Sequence, residues 1–426
     1  MVGGALQLGL TILAARLLGP EQNGHYAQFV LVFNLVFIGL NFGLGPASTY
    51  FVASGRLTEA AARRISVRVI SLITALLGLV TLLIWKASMI RVVESAFKIP
   101  VPLFLWGLAG GVLLLTFNQM LAIMMGGHRY DTVNLLNISK AGVPLLFIAL
   151  LSLLVAPDSL NLSIAHTAAM AVVLMLSIMA LTGASEKNRS AELMSEKSVG
   201  SVLHAMLGYG ALVYASNLLH YLAMRGLLLL LSYYSIPESV GFLNLALLLL
   251  EVTLLLPSAI GQLVFPQSST TGFDRRVIEI VLRINMLIGL FLAVGVVLLS
   301  IPVIRVLMGE AYVSVGSAMM HLAPSVILLA IPRILSQVLS GQGYPRYPLI
   351  AAALSLVVGA ILAVLLIPRW GVLGAVWAIN AVSAITATVT LVGYSRVHKV
   401  AMCELLKPRF QDWAGVQRML AKISRS

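Results

Sequence analysis

Cysteine is almost missing from this chain: among 426 residues only Cys403 is present. One thiol excludes an intrachain disulfide and any metal site built on several cysteines. Charge is scarce too, at 10% of residues, against roughly a quarter in an ordinary soluble protein. Acid is the scarcer sign, with 15 Asp and Glu against 28 Lys and Arg. The aspartates Asp131, Asp158, Asp274 and Asp412 form no pair, and the stretch Lys86–Val101 offers only Glu94 as an acid. A membrane glycosyltransferase needs acidic groups for metal and base chemistry, so that class is disfavoured. No G-x-x-x-x-G-K-S/T is present, which removes ATP hydrolysis through a phosphate-binding loop. Gly208-x-Gly210 lacks the third glycine of a dinucleotide loop and lies in an apolar run. The histidines (His25, His128, His166, His204, His220, His321 and His398) show no metal-ligand spacing. The sequence thus points to no cofactor, to no metal, and away from an enzyme.

What the chain does have is apolar length. Hydrophobic residues make up 60% of it, more than one soluble core can hide. Lipid must solvate most of the chain. A span needs about 20 apolar residues, so twelve spans would use about 240 residues. A transmembrane barrel is excluded because its strands alternate, whereas these runs are apolar on all sides. The runs fall at 2–18, 25–52, 66–85, 102–125, 133–155, 161–182, 206–231, 239–264, 277–301, 316–339, 347–367 and 371–394. The expected fold class is therefore all-α integral membrane, with about 12 transmembrane helices. Met1–Leu18 resembles a signal segment, but it lacks a basic start and the next run follows at once, so it is read as the first span. The polar stretch Gly183–Ser201 separates six spans from six. The expected organisation is a six-helix bundle over 1–185, a cytoplasmic linker over 186–201, a second bundle over 202–396 and a basic tail over 397–426.

Charge placement gives an orientation. With the N-terminus inside, the cytoplasmic segments collect Arg56, Arg63, Arg64, Arg68, Arg275, Arg276 and the basic tail. The outer segments hold only Arg16, Lys86, Arg91, Lys98, Arg305 and Arg369. Cytoplasmic loops of membrane proteins gather Lys and Arg, so both termini are expected in the cytoplasm. The same rule accounts for much of the net charge of +13 with no nucleic-acid partner. In the tail, Trp413, Val416, Met419, Leu420 and Ile423 share one helical face opposite Arg418, Lys422 and Arg425, as in a helix lying on anionic membrane lipid.

The halves read as repeats. Pro20-Glu21-x-x-Gly24 recurs as Pro237-Glu238-x-x-Gly241, and Arg129-Tyr130 recurs as Arg346-Tyr347, both at an offset of 217. Six-span repeats keep their orientation, so the axis relating them runs along the membrane normal. Transporters built this way place their site between the halves near the midplane.

Polar residues inside the spans supply the candidates. Tyr214, Asn217, Tyr221 and Arg225 share one face of span 7. Asn244, Glu251 and Ser258 share a face of span 8, and Asn34 and Asn41 a face of span 2. The offset of 217 carries Asn34 onto Glu251 and Asn41 onto Ser258. These stripes are expected to wall a wet cavity, because polar groups facing lipid have no partners. Arg225 at mid-span costs about 2.5–3.5 kcal/mol to insert. Either an anionic substrate offsets that cost, since guanidinium binds phosphate bidentately, or an internal ion pair does, with Glu251 as partner. Lys140 and Arg333 are further basic candidates, although such side chains also reach for the interface. Asn118-Gln119 is either cavity lining or a helix–helix hydrogen bond. Pro46, Pro144, Pro257 and Pro324 can each kink a span.

Several segments resemble one family. Ala15-Arg16-Leu17-Leu18-Gly19-Pro20-Glu21-Gln22-Asn23-Gly24-His25-Tyr26-Ala27 is similar to the first-loop signature of polysaccharide exporters. These are the lipid-linked oligosaccharide (O-antigen-type) flippases of the multidrug/oligosaccharidyl-lipid/polysaccharide (MOP) superfamily. Arg225–Pro266, Met308-Gly309-Glu310-Ala311-Tyr312 and Ile367-Pro368-Arg369-Trp370-Gly371-Val372-Leu373-Gly374-Ala375 resemble later segments of the same family. The resemblance implies two six-helix bundles around a central cavity lined by spans 1, 2, 7 and 8. It implies alternating-access transfer of an isoprenoid-pyrophosphate-linked oligosaccharide across the cell membrane. Polysaccharide polymerase and glycosyltransferases would be functional partners. Arg225 falls where that pattern often has Arg, whereas Leu227 replaces a frequent acid and leaves Glu251 as the acid for ion coupling or for pairing Arg225. Two other readings stay open: a cation-coupled multidrug exporter of the same superfamily, which the excess of basic groups disfavours, and a non-transporting scaffold.

Overall fold

The computed structural model describes residues 2–53, 57–86, 94–95, 98–183, 197–268 and 275–406. The main elements are α1 (Val2–Leu40), α2 (Leu44–Ala53), α3 (Glu59–Lys86), α4 (Val101–Gly126), α5 (Tyr130–Leu154), α6 (Ser159–Gly183), α7 (Lys197–Tyr234), α8 (Pro237–Thr253) and α9 (Leu255–Ser268). They continue with α10 (Arg275–Met308), a 3₁₀ turn (Glu310–Tyr312), α11 (Val313–Gly341), α12 (Arg346–His398) and α13 (Met402–Leu406). No strand occurs among the described residues. The reason is solvation: hydrocarbon offers backbone groups no partner, and a helix satisfies them internally. Eight of the described helices are long and apolar enough to cross a membrane, and α8 with α9 adds one span bent by 47°. The linker expected over 186–201 lies mostly outside the described residues, as does the tail helix beyond residue 406.

Two of the expected loops are not loops. α1 runs through residues 19–24, and α12 runs through 368–371. At 1.5 Å per residue the helical path of α1 adds up to roughly 58 Å and that of α12 to roughly 80 Å, each about twice the hydrocarbon thickness or more. Each is broken once by a left-handed glycine, Gly19 (φ 70°) in α1 and Gly371 (φ 53°) in α12. Only glycine enters that region without steric penalty. Each long helix therefore holds two spans. Together with α7 and the bent α8–α9 pair they complete the twelve expected.

Two other spans are broken, each just before one of the prolines expected to kink a span. Span 2 stops after Leu40 and restarts at Leu44, with Phe42 (φ 43°) and Gly43 (φ 72°) both left-handed. The Leu44 amide donates to the Asn41 carbonyl at 2.9 Å. Span 8 breaks at Leu254, between α8 and α9. In both cases a proline follows: Pro46 lies four residues after Phe42, and Pro257 four residues after Thr253. A proline has no N–H for the carbonyl four residues back and its ring collides with it, so the helix opens there. Pro144 and Pro324 stay inside continuous helices.

The chain forms two compact units. The first comprises Met1–Leu218, Leu228–Asn244 and Leu307–Ala311; the second comprises Leu219–Leu227, Leu245–Val306 and Tyr312–Ser426. In the first, α4 packs against α1, α2, α3 and α6. Its glycines allow this. A Cβ on Gly107 would stand 2.8 Å from Val32, on Gly110 2.7 Å from Phe33, and on Gly111 2.5 Å from Val36. Small residues let membrane helices approach until dispersion holds them, where no hydrophobic drive exists between helices. Phe29, Phe117, Met120 and Ile123 fill the core beside this seam. In the second unit α11 packs along α12 and against α9. The two halves of α12 fold back on each other at Gly359, whose Cβ would meet Val382 at 2.5 Å. Buried hydroxyls and amides join the helices: Ser325 Oγ donates to Asn380 Oδ1 at 2.6 Å, and Ser383 Oγ to Ser325 Oγ at 3.0 Å.

Candidate functional site

The second unit gathers the charged candidates. Arg225 on α7 donates from Nη2 to Glu251 Oε1 on α8 at 2.7 Å. That distance is a charge-assisted bond, stronger than a neutral one. The pair is lopsided: the Arg225 side chain is 13% exposed and that of Glu251 58%. A carboxylate this open on a membrane helix requires water at its surface, because hydrocarbon offers it no partner. Arg333 on α11 is half-buried and lies within electrostatic reach of Glu251. Tyr221 feels both Arg225 and Glu251, and His220 feels Arg333 and Glu251.

Local packing fixes these positions. Ala223 and Leu227 are buried at 2% and 3%, which anchors one side of α7 and leaves Arg225 between them on another. Leu227, the position where an acid was expected from the resemblance, is thus a core site. Gly261 on α9 lets the backbone of Arg333 come close, since a Cβ there would sit 2.2 Å from the Arg333 carbonyl oxygen. That approach sets α11 against α9 at the level of Arg333. One guanidinium is thus bonded to Glu251, and a second lies within electrostatic reach of it. Guanidinium keeps its proton under all ordinary conditions, so the group carries an excess positive charge when Glu251 is ionised. It can take an oxyanion at Arg333 with the Arg225–Glu251 bond intact, or across both arginines if the anion displaces Glu251.

The other candidates are placed differently. Lys140 on α5 belongs to the first unit, half-buried, with its charge felt by His166. His166 is buried and its Nδ1 lies 2.7 Å from the Tyr26 hydroxyl, among the rings of Tyr26, Phe29 and Phe33. Asn34 spends its amide on its own helix, donating to the Val30 carbonyl at 2.8 Å. Asn41 sits at the break after α1, so it does not continue the face of Asn34 as a single straight helix would. Ser258 likewise lies beyond the Leu254 break and donates to the Leu254 carbonyl, so the expected face of Asn244, Glu251 and Ser258 is split by Pro257. Asn217 is exposed and Asn244 half-buried. Tyr214 donates from its hydroxyl to the Gly39 carbonyl at 2.6 Å. Gln119 is a helix–helix link, donating to Ser48 and Ser66 at 2.6 and 2.8 Å.

His220 and His166 lack metal-ligand spacing, which is the pattern that marks histidines in sequence. Their signal was depth, since an ionisable residue well inside a span is a functional candidate by default. No group of three or more His, Cys, Asp or Glu able to hold a metal occurs among the described residues.

Comparisons with known proteins agree with this architecture. Residues 12–316 match the family described as polysaccharide biosynthesis protein. Among curated proteins no sequence matches. Among solved structures, the inward-facing conformation of a multidrug resistance MATE family transporter of the MOP superfamily is similar, with a TM-score of 0.72 at 18% identity over 93% of this chain and 95% of that one. The lipid II flippase MurJ in an inward closed conformation gives 0.73 at 13% identity over 95% and 87%. A MOP superfamily transporter from Pyrococcus furiosus, described as having a binding pocket of reverse polarity that suggests a different function, gives 0.60 at 16% over 96% and 94%. At these identities the likeness is one of fold.

Proposed function

Because the chain belongs to the polysaccharide biosynthesis protein family and has the multi-pass fold of MOP transporters rather than that of an enzyme, we propose that it is a flippase for a lipid-linked glycan. Its cargo is an isoprenoid-pyrophosphate-linked oligosaccharide, carried from the cytoplasmic to the outer leaflet of the cell membrane by alternating access. Both termini then lie in the cytoplasm, and the glycosyltransferases that build the glycan and the polymerase that extends it act before and after it. The observation that carries this reading is the arginine pair around Glu251: Arg225 bonded at 2.7 Å and Arg333 within reach of the same carboxylate. A multidrug exporter of cationic compounds would need the opposite balance of charge. That MurJ shares this fold and is a lipid II flippase also supports the reading.

The steps follow from charge and solvation. With no cargo, Glu251 holds Arg225 and offsets part of its burial. A pyrophosphate brings more negative charge than one carboxylate and takes both guanidiniums in fork-like bonds. Glu251, already open to water, swings away at little cost. The sugars stay in the hydrated space and the prenyl chain stays in lipid, so neither is transferred against its solvation preference. Tyr221 offers a hydrogen bond to sugar hydroxyls beside Arg225; Lys140, Asn34, Asn41, Asn217 and Asn244 are proposed as further cargo contacts along the transport path. Replacing Arg225 by Ala is expected to stop surface glycan export and to accumulate the lipid-linked precursor on the inner side. Export at the normal level in that variant, with the protein present in the membrane, would remove the arginine from the mechanism.

A further inference from the structure

The repeated motif meets its own copy. Pro20–Gly24 follows the Gly19 break in α1, and Pro237–Gly241 opens α8; both stretches belong to the first compact unit. A Cβ on Gly24 would stand 2.0 Å from the Pro237 carbonyl oxygen and 2.9 Å from the Glu238 nitrogen. A Cβ on Gly241 would stand 3.0 Å from both the Cα and the nitrogen of Gly24. Nothing larger than glycine fits at position 24. The two glycines are equivalent at the offset of 217.

Polar links flank this crossing. Gln28, fully buried, donates from Nε2 to Ser232 Oγ at 2.6 Å and faces His25 Nδ1 with Oε1 at 3.1 Å. Lys98 donates to the Ser235 carbonyl at 2.9 Å, and Arg16 Nε to the Leu307 carbonyl at 2.6 Å. Each link but the His25–Gln28 one ties the first half of the sequence to the second. This is how Leu228–Asn244 and Leu307–Ala311 come to share a unit with residues 1–218. In the orientation proposed above, all of them lie at the outer ends of their spans.

We propose that the Gly24–Gly241 crossing, with the Gln28–Ser232 bond beside it, is the outer gate of the transport path: a clasp closed in this structure that parts once per cycle. The inference rests on the alternating-access reading above. One feature suits a contact that must open. The amide nitrogen of Asn23, one residue before Gly24, is buried with no hydrogen-bond partner among the described residues. A buried unpaired donor disfavours the closed state, and water would satisfy it on opening.

The test uses the full-length protein with its single cysteine removed (Cys403→Ser). With Gln28→Cys and Ser232→Cys added, a short bifunctional methanethiosulfonate, which bridges two thiols through a spacer that replaces the reach of the glutamine side chain, is expected to join the two positions, lower surface glycan export at least tenfold, and release it when a reductant is added. A joined protein that exports at the normal rate overturns the proposal. A second arm does not depend on the cargo. Gln28→Cys alone should react slowly with a membrane-impermeant maleimide applied outside intact cells, and adding Gly24→Val should raise that rate at least tenfold. An unchanged rate overturns the clasp. Were Arg225→Ala to leave export normal, the labelling arm would still decide the gate. Were Gly24→Val not to fold, as judged by gel filtration, the reversible cross-link would decide it.

Discussion

The two compact units hold their polar groups by different mixtures of neutral and charged contacts. In the first, which also holds Lys140 and an Arg129–Glu59 pair at 3.6 Å, the links across helices are mainly neutral: Gln119 with Ser48 and Ser66, Tyr26 with His166, Gln28 with Ser232. Glycines on α4 then close the seam. The second unit has a neutral network of its own at Ser325, Asn380 and Ser383, but it also holds formal charge at Arg225, Glu251 and Arg333. Neutral pairs satisfy each other and need nothing further. Two arginines near a single carboxylate do not balance, and on the reading proposed above the excess positive charge serves an anionic cargo. On that reading structure and function use different chemistry, and each can be broken without the other.

Overpacking the neutral seam gives the largest expected effect on stability. In Gly111→Leu the first carbon alone would stand 2.5 Å from Val36 Cβ and 2.7 Å from the Phe33 carbonyl oxygen. Because one of these neighbours is backbone, relief requires moving a helix, at a cost of about 3 kcal/mol or more. Detergent-solubilised protein should aggregate or melt far below wild type in a fluorescence-detected thermal scan. Gly78→Ala is the control, since nothing lies within 4 Å of that position, and it should melt as wild type does.

Breaking the charge group should separate the two properties. Arg225→Ala leaves Glu251 without its closest cation, but that carboxylate is 58% exposed. The loss of stability should therefore be about 1 kcal/mol, well below the ~3–5 kcal/mol of a fully buried pair, while export falls to background. Adding Glu251→Gln should recover the melting temperature and leave export absent. Recovery of export in the double variant would show that charge balance alone, and not anion binding, is what Arg225 provides. Drug-susceptibility profiling of a deletion strain sharpens the same point: little change is expected, whereas broad sensitisation to cationic compounds would favour the exporter reading.

The fold class was legible because it follows from bulk quantities. Sixty per cent hydrophobic residues and apolar runs of span length leave lipid as the only solvent and helix as the only backbone. What could not be read was where each helix bends. Pro46, Pro144, Pro257 and Pro324 look alike in sequence, yet the breaks fall four residues before Pro46 and Pro257 while the other two sit in continuous helices. Whether a freed carbonyl opens a helix depends on the neighbours that can satisfy it, which is tertiary information. The same limit applied to the site. Periodicity groups residues on one helix, so it found Tyr221 with Arg225 but drew straight stripes through Asn41 and Ser258 that the breaks divide. It could name Glu251 as a partner for Arg225 through complementary charge. It had no means of bringing Arg333, more than eighty positions further on, within electrostatic reach of that same carboxylate; the close approach of its backbone to Gly261 on α9 is a tertiary contact that pattern cannot see.

The smallest effect is expected from the neutral network of the second unit, and it tests whether the contrast holds inside one unit. Asn380 accepts from Ser325 at 2.6 Å and donates to the His321 carbonyl at 2.8 Å, binding α12 to α11. Asn380→Ala removes both bonds but leaves hydroxyls that can turn to carbonyls of their own helices, as Ser383 already does at Ile379. Interhelical hydrogen bonds in membranes are worth roughly 0.6–2 kcal/mol each, because the separated helices also find partners. The melting temperature should drop by a few degrees and export per folded molecule should stay at the wild-type level. If export instead fell as far as in Arg225→Ala, while the protein stayed folded, neutral glue and charged site would be one functional network. The division drawn between them would then fail where it is most finely drawn.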